Sequence, residues 1–115
     1  MARERATVLV VDDDPSLRLL CRVNLELEGY RVVEAGTVNE AERALAGDGI
    51  DVILLDVHLG NEDGLALLPA IGHAGPQVAL LTGSPGNQLP DGATVIGKPF
   101  SIEQLTETVR RLAGS

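Results

Sequence analysis

The stretch VILLDVHLGNEDG, residues 52–64, contains the feature that decides the fold. Its first four residues are aliphatic without a polar break, and the run stops at Asp56. An apolar run of this length, bounded by polar residues, predicts a strand that is buried on both faces, as in parallel sheets. Because open parallel sheets bind their ligands beyond the carboxyl ends of the strands, we expect Asp56 at a binding edge.

Other segments of strand length occur on both sides of this one and alternate with segments of helical character. The expected strands are residues 7–11, 31–34, 51–55, 77–81 and 93–96. Strands separated by helices predict a parallel sheet covered on both faces. Five such units in 115 residues fit one domain, residues 1–115, with a doubly wound α/β fold and the flavodoxin-like strand order 2-1-3-4-5.

The first helix is predicted to begin with Asp14 as its N-cap and Pro15 in its first turn. We expect its buried stripe to consist of three leucines, Leu17, Leu20 and Leu27. Gly29 is expected to end this helix. Cys21 is the only cysteine, so no disulfide can form within the chain, and we expect it to be a small buried hydrophobe.

Three further helices are predicted, and one is expected to be reduced. Thr37 and Glu40 have the spacing of a capping box, as do Ser101 and Gln104. The last helix should bury Ile102, Leu105, Val109 and Leu112. Residues 62–72 should be helical, although Pro69 must shorten or kink that helix. The glycines and prolines of residues 83–92 predict that a fourth helix is shortened or absent.

Composition excludes several classes of protein. The net charge of −8 argues against a nucleic-acid partner, because phosphate backbones are bound by basic surfaces. No apolar run approaches the length of a membrane span, and the charged first residues do not resemble a signal peptide. We therefore expect a cytoplasmic protein with no membrane partner.

Polar side chains that could bind a ligand or take part in a reaction follow four of the five predicted strands. Asp12 and Asp13 follow the first strand, Asp56 the third and Thr82 the fourth, and Lys98, the only lysine, follows the fifth after one glycine. The second strand has no comparable cluster. In the order 2-1-3-4-5 the four strands that carry these residues are neighbours, so their side chains should meet at one edge.

These residue types suit phosphoryl transfer beside a metal ion. Clustered carboxylates repel one another unless a cation joins them, and a site of oxygen ligands suits Mg²⁺ better than Zn²⁺. A carboxylate such as Asp56 can act as nucleophile and form an acyl phosphate. Such a transfer requires stabilisation of charge on the phosphoryl group, which the Lys98 ammonium and the Thr82 hydroxyl could supply.

The residues of this cluster lie in segments that resemble the response-regulator receiver family, of the single-domain, chemotaxis-regulator-like type. The resemblance rests on VLVVDDDPSLR at 8–18, VILLDVHLGNEDG at 52–64, LLTG at 80–83 and GKPF at 97–100. It implies that Asp56 is phosphorylated and that Asp12, Asp13, Asp56 and the main-chain carbonyl of His58 bind Mg²⁺. It also implies a cis peptide bond before Pro99, which places the lysine.

The same resemblance implies partners. A sensor histidine kinase or a histidine phosphotransfer protein would donate the phosphoryl group, and an unidentified protein target would receive the signal by contact. The domain would promote only its own phosphorylation and dephosphorylation and would not otherwise be an enzyme. We expect a monomer or a weak dimer.

The chain departs from the family pattern at Gly60 and Val95, and two alternative functions are considered beside the receiver. Relatives usually have proline where this chain has Gly60, which predicts a looser loop, and an aromatic residue where it has Val95. One alternative is a pseudo-receiver that binds partners without phosphorylation, which loss of Mg²⁺ affinity would reveal. The other is a cobalamin-binding module, suggested by the residues Asp56, His58 and Gly60, although the glycine comes one residue early.

Overall fold

Five parallel strands form the central sheet of the computed structural model, which describes residues 5–47, 49–72, 75–83 and 89–114. The strands are β1 Thr7–Val11, β2 Arg31–Ala35, β3 Val52–Asp56, β4 Gln77–Thr82 and β5 Thr94–Gly97. Their order is β2-β1-β3-β4-β5, which confirms the predicted doubly wound topology. The last four strands each end one residue later than predicted, so Asp56 and Thr82 are the final residues of their strands.

Four helices cover the two faces of the sheet in the described residues. They are α1 Pro15–Leu27, α2 Val38–Gly47, α3, which begins as a 3-10 turn at Gly64–Leu67 and continues as Leu68–Ile71, and α4 Ile102–Leu112. No helix occurs in the described residues between β4 and β5, where the shortened or absent helix was predicted. Residues 84–88 of that connection lie outside the described part of the chain.

Both faces of the sheet are buried under helices. Alternate strand residues point to opposite sides, so each face receives its own set of aliphatic side chains. Helices α2 and α3 cover the face that carries Leu9, Val11, Ile53, Leu55 and Leu80. Helices α1 and α4 cover the face that carries Val8, Val10, Val52, Leu54 and Leu81. Burial on both faces explains why these strands are continuously apolar in the sequence.

The predicted buried stripe of α1 was wrong in two of its three residues. Cys21 and Leu25 are fully buried and Leu17 is half-buried, whereas Leu20 and Leu27 are exposed. Residues 17, 21 and 25 lie four apart and share one side of a helix, whereas Leu27 lies on a different side of it. The expected burial of Cys21 is confirmed.

Residues 62–72 were predicted as one helix, and the structure divides them. Glu62 and Asp63 form the second strand of a small antiparallel hairpin with His58 and Leu59. Helix α3 begins only at Gly64, with the Asp63 side chain accepting a hydrogen bond from the Leu65 amide (3.0 Å). Pro69 stands in the first turn of the α-helical part, where its missing N–H leaves no hydrogen bond unmade.

The capping predictions are confirmed with one variation. Asp14 caps α1 by accepting from the Ser16 amide (2.9 Å), and Ser101 and Gln104 form a complete capping box on α4. At α2, Thr37 accepts from the Glu40 amide, but the Glu40 side chain reaches the amide of the residue before Thr37. In α4, Leu105 and Val109 are buried as predicted, Leu112 is half-buried and Ile102 is exposed.

None of the described helices has the length and apolar character that a membrane crossing requires.

Candidate functional site

The polar residues at the strand ends meet at one edge of the sheet. Asp12 follows β1 directly, Asp56 ends β3 and Thr82 ends β4, while Lys98 follows β5. Parallel pairing places Asp56 beside Leu81 and Thr82 beside Gly97, so neighbouring strands end at nearly the same level. The sheet register thus brings together residues that are as much as 86 positions apart in the chain.

Three carboxylates form the acidic part of this cluster. Oxygen atoms of Asp12, Asp13 and Asp56 all lie within 4.8 Å of one another. Asp12 and Asp56 are 1% and 4% exposed, whereas Asp13 faces solvent. Hard oxygen donors around a position that water can reach fit Mg²⁺, which keeps several water ligands when it binds proteins. The residues present therefore fit the ion that the sequence suggested.

Lys98 supplies positive charge to two of these carboxylates. Its Nζ lies 2.9 Å from Oδ2 of Asp12 and 3.4 Å from Oδ2 of Asp56. Burial alone would lower the pKa of the ammonium, but the hydrogen bond and charge of Asp12 and the charge of Asp56 outweigh burial and raise it. Lys98 is therefore protonated at neutral pH. The peptide bond before Pro99 is cis, as expected from the sequence resemblance.

Asp56 is an unusual carboxylate because it is buried next to another one. Its Oδ1 accepts a hydrogen bond from the His58 amide (3.1 Å). Burial raises the pKa of Asp56, the charge of Asp12 raises it further, and the His58 amide and Lys98 only partly oppose them. One ammonium among three carboxylates leaves the cluster with excess negative charge, which a divalent cation would offset.

Residues 58–63 fold back over the site as the small hairpin. Gly60 lies in its turn with φ +59°, a conformation that proline cannot adopt because its ring fixes φ near −65°. A side chain built at Gly60 would have its first carbon 3.7 Å from Oδ2 of Asp13. This loop forms a paired hairpin whose turn adjoins the acidic cluster, and its expected looseness relative to the family stays a prediction. The His58 side chain is exposed.

A cleft of about 540 Å³ opens beside the hairpin. Its lining includes hairpin residues, the buried Thr82 and Leu89. Thr82 lines this cleft, and its main-chain oxygen accepts from the Lys98 amide (2.8 Å). The cleft therefore lies beside the edge of the sheet at which Thr82 ends β4.

Two residues at the site were not found by reasoning from the sequence. Arg18 of α1 donates from Nη1 to the main-chain oxygen of Asp12 (2.7 Å) and from Nε to Glu34 (3.0 Å). Gly64 packs so closely on Asp56 that a side-chain carbon there would collide with the Asp56 main-chain oxygen. Neither residue follows one of the five strands predicted from the sequence, and that position was the signal that identified the others.

A family model for the response regulator receiver domain matches residues 8–110. The chain belongs to the receiver domain family. Receiver domains are signalling modules of two-component systems, and members of this family are phosphorylated on aspartate. The match spans all the strand ends described above, which favours this family over the cobalamin-binding alternative.

Relatives of known sequence or structure agree with this assignment. The swarming motility regulation protein RssB of Serratia marcescens is 35% identical over 120 residues, covering 93% of this chain and 54% of RssB. A CheY-like receiver domain protein from Methanospirillum hungatei JF-1 superposes with a TM-score of 0.87 at 27% identity, covering 96% of this chain and 94% of that one.

A response regulator from Burkholderia pseudomallei, solved with a phosphorylated aspartic acid and a calcium ion, has a TM-score of 0.82 at 28% identity. The alignment covers 94% of this chain and 68% of that protein. The chain spans about half or less of the length of the curated relatives it matches, several of which are named transcriptional regulatory proteins.

Proposed function

We propose that Asp56 accepts a phosphoryl group in a Mg²⁺-dependent transfer from a histidine kinase or a histidine phosphotransfer protein. The observation that carries the proposal is the position of Asp56, buried at the end of β3 with the Lys98 ammonium 3.4 Å from its Oδ2 and two further carboxylates beside it. A nucleophile, a positive charge and a set of oxygen ligands for a metal are the parts that such a transfer needs.

The residues of the site have separate tasks in this transfer. An Asp56 oxygen attacks phosphorus, and the bond from phosphorus to the leaving group of the donor breaks. Lys98 offsets charge on the phosphoryl oxygens, and the Thr82 hydroxyl donates a hydrogen bond to one of them. Asp12, Asp13, Asp56 and the main-chain carbonyl of His58 would hold Mg²⁺, which supplies further positive charge at the phosphoryl group.

The cleft beside the hairpin is lined by Thr82 and has a volume of about 540 Å³, which gives a phosphorylated side chain of the donor room next to the site. Output then follows from contact with another protein, because the net charge of −8 disfavours direct binding to nucleic acid. The domain acts in the cytoplasm, with no membrane partner, and promotes no chemistry other than its own phosphorylation and dephosphorylation.

Incubation with a small phosphodonor and Mg²⁺, followed by intact-mass measurement, tests the proposal. We expect the wild type to gain the mass of one phosphoryl group and Asp56→Ala to gain none. Asp91→Ala, which removes an exposed carboxylate from a turn outside the site, should behave as the wild type. Uptake by Asp56→Ala at the wild-type level would show that another residue is the acceptor. Uptake by neither protein would favour the pseudo-receiver.

A further inference from the structure

Helix α1 carries large apolar side chains on the side that faces solvent. Four of them form what we call the outer α1 face: Leu19, Leu20, Val23 and Leu27, exposed by 57%, 43%, 47% and 79%. In the described residues, only Val95 and Ile102 are further large hydrophobic residues with comparable exposure. The exposed apolar surface of the domain is therefore concentrated on one helix.

The opposite side of α1 is already buried against the sheet through Cys21 and Leu25. A helix that is apolar on both its inner and its outer side is typical of an element covered on both sides. Scattered exposed leucines need no explanation, but four on one helical stripe form a contiguous patch, which marks an interaction surface.

The spacing of the outer α1 face is symmetric about its centre. Leu19, Val23 and Leu27 lie four residues apart and so form one row along the helix. If a second copy of α1 is laid antiparallel on this row, Leu19 meets Leu27 of the second copy and Val23 meets Val23. Such self-complementarity is what a two-fold symmetric interface requires.

Charges beside the row favour the same arrangement. Arg22 and Glu26 lie on one flank, both about half exposed, and are paired with each other at 3.2 Å, while Arg22 also pairs with Glu34 at 3.0 Å. Antiparallel packing brings the same flanks of two helices together and places Arg22 of one copy next to Glu26 of the other. Parallel packing would remove this match of opposite charges. The charges thus select the antiparallel orientation, since the apolar row itself would match a second copy in either direction.

We propose that the outer α1 face binds a second copy of this chain in an antiparallel helix pair centred on Val23. One helix pair is a small interface compared with those of stable complexes, so the dimer is weak and depends on concentration. The outer α1 face lies outside the site formed by the polar residues at the strand ends, and its self-association does not depend on the phosphorylation of Asp56.

Sedimentation of the 115-residue chain from about 10 µM to about 1 mM, the range in which a weak interface associates, tests the proposal. We expect the mass of the wild type to rise from monomer toward dimer. Val23→Glu, which would place two carboxylates against each other at the centre, should weaken association at least about tenfold. Val95→Glu places the same charge on an exposed apolar residue outside α1 and should associate as the wild type.

A mixture of Leu19→Glu and Leu27→Lys gives the decisive result. Each variant alone should lose association, whereas the mixture should regain it, because residue 19 of one copy meets residue 27 of the other only in the antiparallel arrangement. Thermal melts confirm that each variant is folded. A wild type that stays monomeric throughout the range overturns the proposal and leaves the face to a different protein. Association that Val23→Glu does not weaken, or a mixture that fails to associate, overturns it as well.

Discussion

At Gly64, the absence of a side chain lets the start of α3 pack directly on the main chain of Asp56, the proposed phosphoacceptor. The Gly64 amide donates to the Val57 oxygen (2.8 Å), and the position of a β-carbon there is occupied by the Asp56 carbonyl. The sequence identified Asp56 itself because a polar residue directly follows an apolar strand. It could not assign this role to Gly64, because the close approach exists only after residues 57–63 have folded back as a hairpin.

Gly64→Ala is therefore expected to destabilise the protein by about 2 kcal/mol or more, since main-chain atoms must shift to admit the methyl group. The shift would fall on Asp56, so phosphorylation by a small phosphodonor should also slow. The control is Gly47→Ala at the end of α2, where a β-carbon would contact nothing within 4 Å and φ is not positive. That variant should be as stable as the wild type or slightly more stable.

Urea unfolding of both variants measures the two free energies. Equal stabilities for Gly64→Ala and Gly47→Ala would mean that the hairpin adjusts freely, and the proposed steric contact with Asp56 would be wrong.

Helix α1 is joined to the acidic site by an arginine that contacts two strand ends. Arg18 holds the main-chain oxygen of Asp12 and one oxygen of Glu34, and Arg22 donates to the other Glu34 oxygen (3.0 Å). Burial alone would raise the pKa of Glu34, but hydrogen bonds from Arg22 and Arg18 outweigh burial and lower it. Glu34 therefore remains charged at neutral pH and fixes both arginines.

Arg18→Ala should weaken Mg²⁺ binding by about tenfold, because Asp12 loses the contact that holds its main chain while its carboxylate remains. Arg22→Ala removes the other partner of Glu34 but no contact with Asp12, so it should bind Mg²⁺ as the wild type does. Calorimetric titration with Mg²⁺ measures both affinities. If the two variants lose affinity equally, Arg18 acts only on stability and does not position Asp12.

The elements differed in how well the sequence predicted them. The α4 boundary was correct because its capping box is formed by residues close in sequence. The helix predicted over residues 62–72 was wrong at its start, because the sequence did not distinguish helix from hairpin at Glu62 and Asp63. The buried stripe predicted for α1 was wrong at Leu20 and Leu27, which are exposed. An apolar residue on a helix can face a partner as well as the core, and periodicity alone does not separate the two.

The topology of the sheet was predictable from the sequence because the strand pattern and the positions of the polar residues indicated the same strand order. Continuous apolar runs indicate parallel strands, and the four runs followed by chemically active residues become neighbours in the order β2-β1-β3-β4-β5. The same topology has an electrostatic cost, since it gathers Asp12, Asp13 and Asp56 with Lys98 as their cationic partner. The magnitude of that cost depends on burial and distance, which the sequence does not contain.

The direction in which the pKa of Asp56 shifts shows how this electrostatic cost changes the stability of the fold with pH. Burial and the charge of Asp12 raise its pKa, so the folded protein holds this proton more tightly than the unfolded chain does. The group stabilises the fold at acid pH, and that contribution is lost as pH rises through the folded pKa. At neutral pH without metal, the ionised Asp56 beside Asp12 therefore destabilises the domain, and a bound cation should reverse the effect.

We expect Mg²⁺ to raise the melting temperature of the wild type at neutral pH and to have less effect in acid, where Asp56 is protonated. Because the pKa of Asp56 is raised, this protonation occurs at a higher pH than for an ordinary aspartate. Without metal at neutral pH, Asp13→Asn should melt a few degrees above the wild type, which corresponds to about 1 kcal/mol at this chain length. Mg²⁺ should raise its melting temperature less, because one ligand is gone. Glu107→Gln, which removes an exposed carboxylate of α4, should respond as the wild type. Circular dichroism melts with and without Mg²⁺ measure all three proteins, and an unchanged metal response in Asp13→Asn would remove Asp13 from the metal site.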